Sequence, residues 1–528
     1  MTCLDGVRSG GWFSRRPLAV SELDLLVVGS GVAGLSAAVR AAELHGMSVG
    51  VVTKAELQQA TTRWAQGGVA AVLGGDPDST DLHLADTLAA GAGLCDVDAV
   101  RVLVDEGPAR VHELIALGAT FDRDSDGNLQ LAREGGHSLP RIVHAGGAAT
   151  GAEIERTLVD AVRESGRAIY ERTFALDLIV EGGRCRGVVA ATETGERIEV
   201  RSRNVLLATG GYGQLFAVTT NPAEATGDGV AMALRAGVAV ADVEFEQFHP
   251  TALHHPAMPR PLLSEALRGH GALLRDAEGE RFVDELLSRD KVSRAITHRM
   301  LEQDVDHLWL DATGLERFAE RFPTIARELA AVGLDPATDW LPIAPAAHYS
   351  CGGVLADLDG ATSLPGLWAA GEVACNGVMG ANRLASNSLL DGMVFGPRVV
   401  EAIDRGVDGP AATGAMRSLL GGGEIPGRPL SVPAPSPGSV PSREELQRVM
   451  TVEAGVLRSA ESLARAAAAC ASDPTDEDPA GWELRNLLTV GRAVCAAASA
   501  REESRGAHTR TDFPDASEAL RVRFVIGA

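Results

Sequence analysis

Between positions 249 and 383 stand His249, the pair Ser264-Glu265, Arg268, Arg289, His348 and Arg383, residue types that together can hold an anion and move a proton. Arginine presents a planar fork that grips a carboxylate through two charge-assisted hydrogen bonds. An imidazole beside it can donate to a second carboxylate. His249 lies in FHPT and His348 in HYSCGG, each next to a turn-forming Pro or Gly. Such a set, converging over one cofactor, suits an anionic substrate. Arg383 is the expected carboxylate clamp, with Gln247 and Ser264 as further substrate contacts. An arginine is a poor base in water because its pKa lies above about 12. Arg289 can therefore transfer a proton only from a buried site with a carboxylate relay such as Glu265, assisted by Arg268; the other reading is a second anion clamp. Glu134, on the Gly-flanked loop REGGHS, is the expected reader of a positive group on the substrate, unless Arg133 beside it neutralises it.

These side chains need a cofactor and a scaffold to aim them. The apolar run ELDLLVVGS (22–30) reads as a strand, GSGVAG (29–34) follows at once, LSAAVRAAELHG continues with helical spacing, and MSVGVVT reads as a second strand. In that order Gly29 permits the tight turn, Gly31 lets the backbone approach a pyrophosphate, and Gly34 lets the helix pack on the strand, with Ser30 and Ala33 beside the same ligand. The acidic residue expected about 20 positions later is replaced by Thr53 and Lys54, which disfavours a plain NAD-dependent dehydrogenase relative to an FAD protein. Glu372, in LWAAGE, is the candidate for a second hydroxyl contact, and VLLATGG (205–211) brings Ala208, Thr209 and Gly210 to a strand end where a dinucleotide fold again meets its ligand. The dinucleotide-binding sequence closes only at 366–392, so a long insert separates its two segments.

With 528 residues and 45% hydrophobic content the chain has material for about two to four domains. A net charge of −23 argues against a nucleic-acid surface and against an anionic membrane, and no apolar run is long enough for a membrane span. The seven cysteines are scattered without a CxxC pair, which predicts reduced thiols in a cytoplasm, no disulfide framework and no metal site. Arg15-Arg16 is not read as an export signal, because the apolar stretch after it contains Glu22 and Asp24. Gly, Pro and Ser crowd positions 421–442, which predicts a linker. Beyond it Ser442 with Glu445 forms a capping-box pattern, and Ala-rich helical sequence runs to about 470 and again from about 482 to 503.

AQGGVAA (65–71), REGGHS (133–138), EFEQFHPTAL (244–253), SRDKVSRAI (288–296), AAHYSCGGV (346–354), GANRLASNSLL (380–390) and ESRGAHTRTDFP (503–514) resemble the succinate dehydrogenase/fumarate reductase flavoprotein family, from about residue 22 onward. The resemblance implies an α/β fold: a Rossmann-type FAD-binding domain in two segments (21–243 and 350–420), an inserted α+β capping domain (244–349), a linker (421–441) and a C-terminal helical domain (442–528), after an N-terminal extension (1–20). It implies FAD contacts at Thr61, Gln66, Gly67, Gly68, Asp228, Asn387, Ser388 and Leu389 as well, and proton transfer at Arg289. Ser264 stands where the family has Thr, keeping the hydroxyl and losing the methyl. The activity implied is oxidation of L-aspartate to iminoaspartate, with electrons passed to oxygen or fumarate and a functional link to quinolinate synthase.

Two other readings are weighed against it. A respiratory flavoprotein subunit of this family carries a His five residues before the Gln of AQGG; that position is Thr61 here, which predicts FAD held without a covalent bond. An FAD-dependent tRNA-modifying protein is disfavoured by the acidic balance.

Overall fold

LDLLVV (23–28) is apolar at nearly every position, and a strand apolar on both faces has to be covered on both. The computed structural model, which describes residues 22–43 and 46–527, places Leu23–Val28 inside a seven-stranded sheet, between Val49–Val52 and Arg197–Leu207 and parallel to both. Val27 is in register with Val51 on one side and Leu206 on the other. Arg184–Ala191 and Phe174–Glu181 extend the sheet antiparallel, and Ala168–Tyr170 closes the far edge. Leu367–Ala369, beyond the insert, pairs parallel to Arg197–Leu207, so the late segment joins the early one in a single sheet. Arg15-Arg16 and the rest of the N-terminal extension lie outside the described residues.

The turn after Leu23–Val28 feeds the helix Val32–Glu43, which packs on the helix Asn387–Asp404. Their approach requires glycine: a Cβ at Gly396 would stand 2.3 Å from the Ala33 carbonyl oxygen. The insert forms its own four-stranded sheet in the order Glu246–Leu253, Leu341–Ser350, Leu308–Asp311, Leu273–Arg275, all antiparallel, with the helices Arg289–Gln303 and Pro323–Ala331. Leu253, Leu308, Leu310, Ile343, Ile296 and Ile325 form its apolar core.

Ser442 caps the helix Arg443–Glu453 with a capping box to Glu445, and Ala460–Ala469 and Pro479–Ala500 follow. Leu446, Leu463, Leu487 and Val490 pack with Tyr212, Leu215 and Phe216, which seats these helices against the cofactor-side sheet. Two strands depart from the expectation of a linker followed by helices. Gly427–Leu430, within the Gly/Pro/Ser-rich stretch, pairs parallel with Arg523–Ile526, and the latter also pairs antiparallel with Val240–Ala241 in a five-stranded sheet. Arg523, 1% exposed, places its guanidinium between Asp96 and Asp242. Such a buried cation persists only where carboxylates surround it.

Candidate functional site

The Gly-rich turn, the Arg197–Leu207 strand end and the helix Asn387–Asp404 meet along one cleft of about 380 Å³ that runs on under the inserted sheet. Gly29 adopts φ +112°, and a Cβ on it would lie 2.2 Å from the Ala208 carbonyl oxygen, so only glycine fits where the two strand ends converge. Gly31 lines the same wall, where a Cβ would meet Thr62 Oγ1 at 3.4 Å. Thr62 Oγ1 accepts a hydrogen bond from the Val32 N–H at 2.9 Å and so fixes the start of the helix. An anion-receptive helix N-terminus beside a close backbone approach fits a pyrophosphate.

Most residues expected at the cofactor line this cleft: Ser30, Ala33, Thr53, Lys54, Thr61, Gln66 to Gly68, Ala208 to Gly210, Asp228, Glu372, Ser388 and Leu389. Gly34 stands behind the wall, where a Cβ would come within 2.3 Å of the Gly29 carbonyl oxygen. The structure does not bring Asn387 to the wall either: it is fully buried, its Nδ2 donating to Thr87 Oγ1 at 3.1 Å and its Oδ1 2.8 Å from His83 Nε2. Lys54 spends its ammonium on Glu483 (2.8 Å), Thr226 (2.6 Å) and Asp228 (3.0 Å). Burial pushes the Glu372 carboxyl up to about 7, against the hydrogen bond it accepts from the Ser350 N–H.

Beyond this end, Arg383 and Arg289 share one acceptor. Gln247 Oε1 accepts from Arg383 Nη1 at 3.1 Å and from Arg289 Nη1 at 3.3 Å, while Gln247 Nε2 donates to Asn382 Oδ1 and the Arg383 carbonyl, both at 2.8 Å. With its amide fully used and no exposed surface, Gln247 spaces the two arginines, and the structure does not bring it to the cleft wall as a direct contact. Tyr349 lies 4.8 Å under the Arg383 guanidinium, and burial, with Arg289 nearby, lowers Arg383 to about 10. Arg289 is the first residue of its helix; its Nε donates to Glu265 Oε2 at 2.8 Å, and Arg268 Nη2 stands 3.4 Å from Glu265 Oε1. Burial raises the Glu265 carboxyl, but the two guanidiniums outweigh it and hold it below its ordinary value. Ser264 caps the next short helix through Ala266 N and lines the cleft.

His249 Nδ1 accepts from the Thr251 N–H at 3.2 Å, which assigns the proton to Nε2; that atom is buried with no partner. His348 packs against it edge-on with centroids 5.2 Å apart, and its Nδ1 lies 2.7 Å from Thr220 Oγ1. Burial, reinforced by Arg289, holds both imidazoles well below their usual range, so both are neutral at neutral pH.

Glu134 reaches the same place from its loop. It is 4% exposed; its Oε2 accepts from Ser386 Oγ at 2.7 Å, and its Oε1 is without a hydrogen-bond partner, 3.5 Å from His144 Nε2. Burial raises its carboxyl, yet His144, Arg289 and Ser386 together bring it down to about 2. Arg133 donates its Nε to the His137 carbonyl instead, so it does not neutralise Glu134. His144 was legible by the rule applied to His348, since it too stands beside a Gly turn, in VHAGG; Thr62, Thr220 and Glu483 carry no local signal of their roles. At this end of the cleft Arg289, Arg383 and Arg268 are set against Glu265 and Glu134, so cationic side chains outnumber carboxylates among these five groups.

Comparison with known proteins is consistent across sequence and structure. A family model of FAD binding domains matches residues 24–389, and a model of fumarate reductase flavoprotein C-terminal regions matches residues 479–523. The chain is 49% identical to L-aspartate oxidase of Streptomyces coelicolor over 95% of its own length and 91% of that protein's. It is 44% identical to L-aspartate oxidase of Mycobacterium tuberculosis H37Rv, covering 93% of this chain and 92% of the relative. Among solved structures it superimposes on a quinol-fumarate reductase with menaquinol molecules at TM-score 0.83, 30% identity and 94% coverage of each chain. It also matches the apo form of Mycobacterium smegmatis Sdh1 at TM-score 0.76 and 33% identity, covering 95% of this chain and 90% of that one.

Proposed function

The chain belongs to the succinate dehydrogenase/fumarate reductase flavoprotein family, and from that premise we propose how its cleft oxidises L-aspartate. It is an FAD-dependent oxidoreductase. FAD, when bound, accepts the two electrons. Gly29 to Gly31, Thr53, Thr61, Gln66 to Gly68, Thr209, Glu372, Ser388 and Leu389 would hold it along the cleft.

The observation that carries the reading is the cluster of Arg289, Arg383 and Arg268 around Glu265 and Glu134, with its free buried polar atoms. L-Aspartate brings two carboxylates and one ammonium, the groups that such cations and a free carboxylate oxygen can pair with. Arg383 grips one carboxylate. The neutral His249 offers its free Nε2–H to the second, with His348 and the Ser264 hydroxyl alongside. Glu134 Oε1 faces the ammonium. Arg289, joined through Glu265 to Arg268, either takes the proton or clamps the substrate, and the buried guanidinium–carboxylate–guanidinium row suits both. The product is iminoaspartate, the acceptor is oxygen or fumarate, and the reactive imine is passed on to a quinolinate synthase in the cytoplasm. Among the described residues no helix is long and apolar enough to cross a membrane.

Anaerobic addition of L-aspartate should bleach the flavin absorbance of the purified protein, whereas succinate at the same concentration should bleach it far less. Bleaching by succinate alone would favour the respiratory reading instead. Thr61 lines the cleft, and its hydroxyl is not a nucleophile comparable to an imidazole toward a flavin methyl carbon. Acid precipitation should therefore leave the yellow colour in the supernatant; colour retained in the pellet would contradict non-covalent binding.

A further inference from the structure

The inserted four-stranded sheet turns one face to the core built from Leu253, Leu308, Leu310 and Ile343. Side chains alternate across a strand, so His254, one step past Leu253, and His307, one step before Leu308, go to the opposite face, as does Trp309. The His254 N–H donates to the Pro342 carbonyl, and Pro342 is in register with Trp309, so the two histidines meet across the middle strand. Their rings stack with centroids 5.0 Å apart and planes 22° from parallel, and Trp309 packs edge-on against His307 at 4.8 Å. Asp306 completes the group: one carboxylate oxygen lies 2.7 Å from His307 Nδ1 and the other 3.6 Å from His254 Nε2.

We propose that His254, Asp306 and His307 form a binding site for a divalent transition-metal ion of the zinc type, separate from the cofactor cleft. One donor atom from each residue lies within 4.8 Å of the other two. Tetrahedral ligation at about 2.0–2.2 Å sets donors roughly 3.4 Å apart, which the existing separations reach with small side-chain rotations. Asp306 is 78% exposed and free to make that adjustment, while His254 and His307 directly flank the strands Glu246–Leu253 and Leu308–Asp311. Two imidazoles and one carboxylate select such an ion over Mg²⁺ or Ca²⁺, which demand oxygen ligands. Three protein ligands leave a fourth position for water.

The site has a mechanical role. His254 opens the loop that returns at Leu262, bridged to Ala252, and Pro259, Arg260, Pro261 and Leu262 of that loop line the cleft. A bound ion ties the foot of the loop to the Leu308–Asp311 strand, two strands away. It thereby steadies one wall of the cleft without touching the substrate.

The test uses the flavin-loaded full chain, stripped with a chelator and titrated with ZnCl₂ by calorimetry in the presence of excess Mg²⁺. One Zn²⁺ per chain is expected, with His254→Ala and His307→Ala each weakening binding at least about tenfold, since loss of an orienting partner alone costs that much. Asp306→Asn, a change at an exposed position, should do the same with flavin content intact, which keeps the test independent of folding. Absence of stoichiometric uptake, or uptake unchanged in all three variants, overturns the site.

Discussion

In flavin-loaded protein, Arg383→Leu should lower kcat/KM for L-aspartate by at least about a hundredfold, because an unpaired buried carboxylate costs on the order of 3 kcal/mol. The geometry leaves little room for compensation. Arg383 is buried over Tyr349, its Nη1 rests on Gln247 Oε1 at 3.1 Å, and its Nε has no partner inside the protein. Even lowered to about 10 the guanidinium stays charged at neutral pH, so its charge is lost in full on substitution. Arg289 cannot move in to replace it, since its Nε is held by Glu265 at 2.8 Å. Flavin content, read from absorbance, should be unchanged. Near-normal turnover in a fully flavinated variant would remove Arg383 from the site.

Glu134→Gln should separate amino acid from plain dicarboxylate. Aspartate and succinate present the same two carboxylates, so only a group that senses the ammonium can tell them apart. With its carboxyl at about 2, Glu134 is ionised at every working pH, and Oε1 is left without a hydrogen bond while Oε2 is held by Ser386. Replacing it with the neutral amide should weaken aspartate use by one to a few kcal/mol, roughly tenfold to a few hundredfold in kcat/KM. Fumarate reduction should be kept or improved, because a negative charge has been taken from a site that receives a dianion. Equal losses with both substrates would show that Glu134 does not read the amino group.

The strand, Gly turn and helix at 23–43 were legible because their signals are local: an unbroken apolar run, glycines at fixed offsets, and helical spacing after them. The capping box at Ser442 was legible for the same reason. Gly427–Leu430 was not, since its composition is that of a linker and only the arrival of Arg523–Ile526 supplies partners for its backbone. Asn387 lies in a motif from which cofactor contacts are expected, yet the direction of its side chain is settled by His83 and Thr87, some 300 positions earlier. Gln247 reads from sequence as one more polar contact; that it is consumed in spacing two arginines follows only from where Asn382 and Arg383 come to rest. In each case the missing information is a tertiary partner far along the chain.

Arg523 gives the molecule an order of assembly. Asp96 and Asp242 are brought together by segments made early, and the cation that reconciles them is made about 280 residues after the second of them. Until it arrives, two carboxylates face each other in a space too dry to stabilise either, and the strand Val240–Ala241 lacks the neighbour that Arg523–Ile526 provides. On a ribosome adding about 5–20 residues per second, domains that emerge first ordinarily fold first. Here the seven-stranded dinucleotide sheet is completed by Leu367–Ala369, whereas the five-stranded sheet gains the second partner of Val240–Ala241 only when Arg523–Ile526 has emerged. A product truncated before residue 523 would retain the cofactor-binding motifs and leave Asp96 and Asp242 buried without their shared cation.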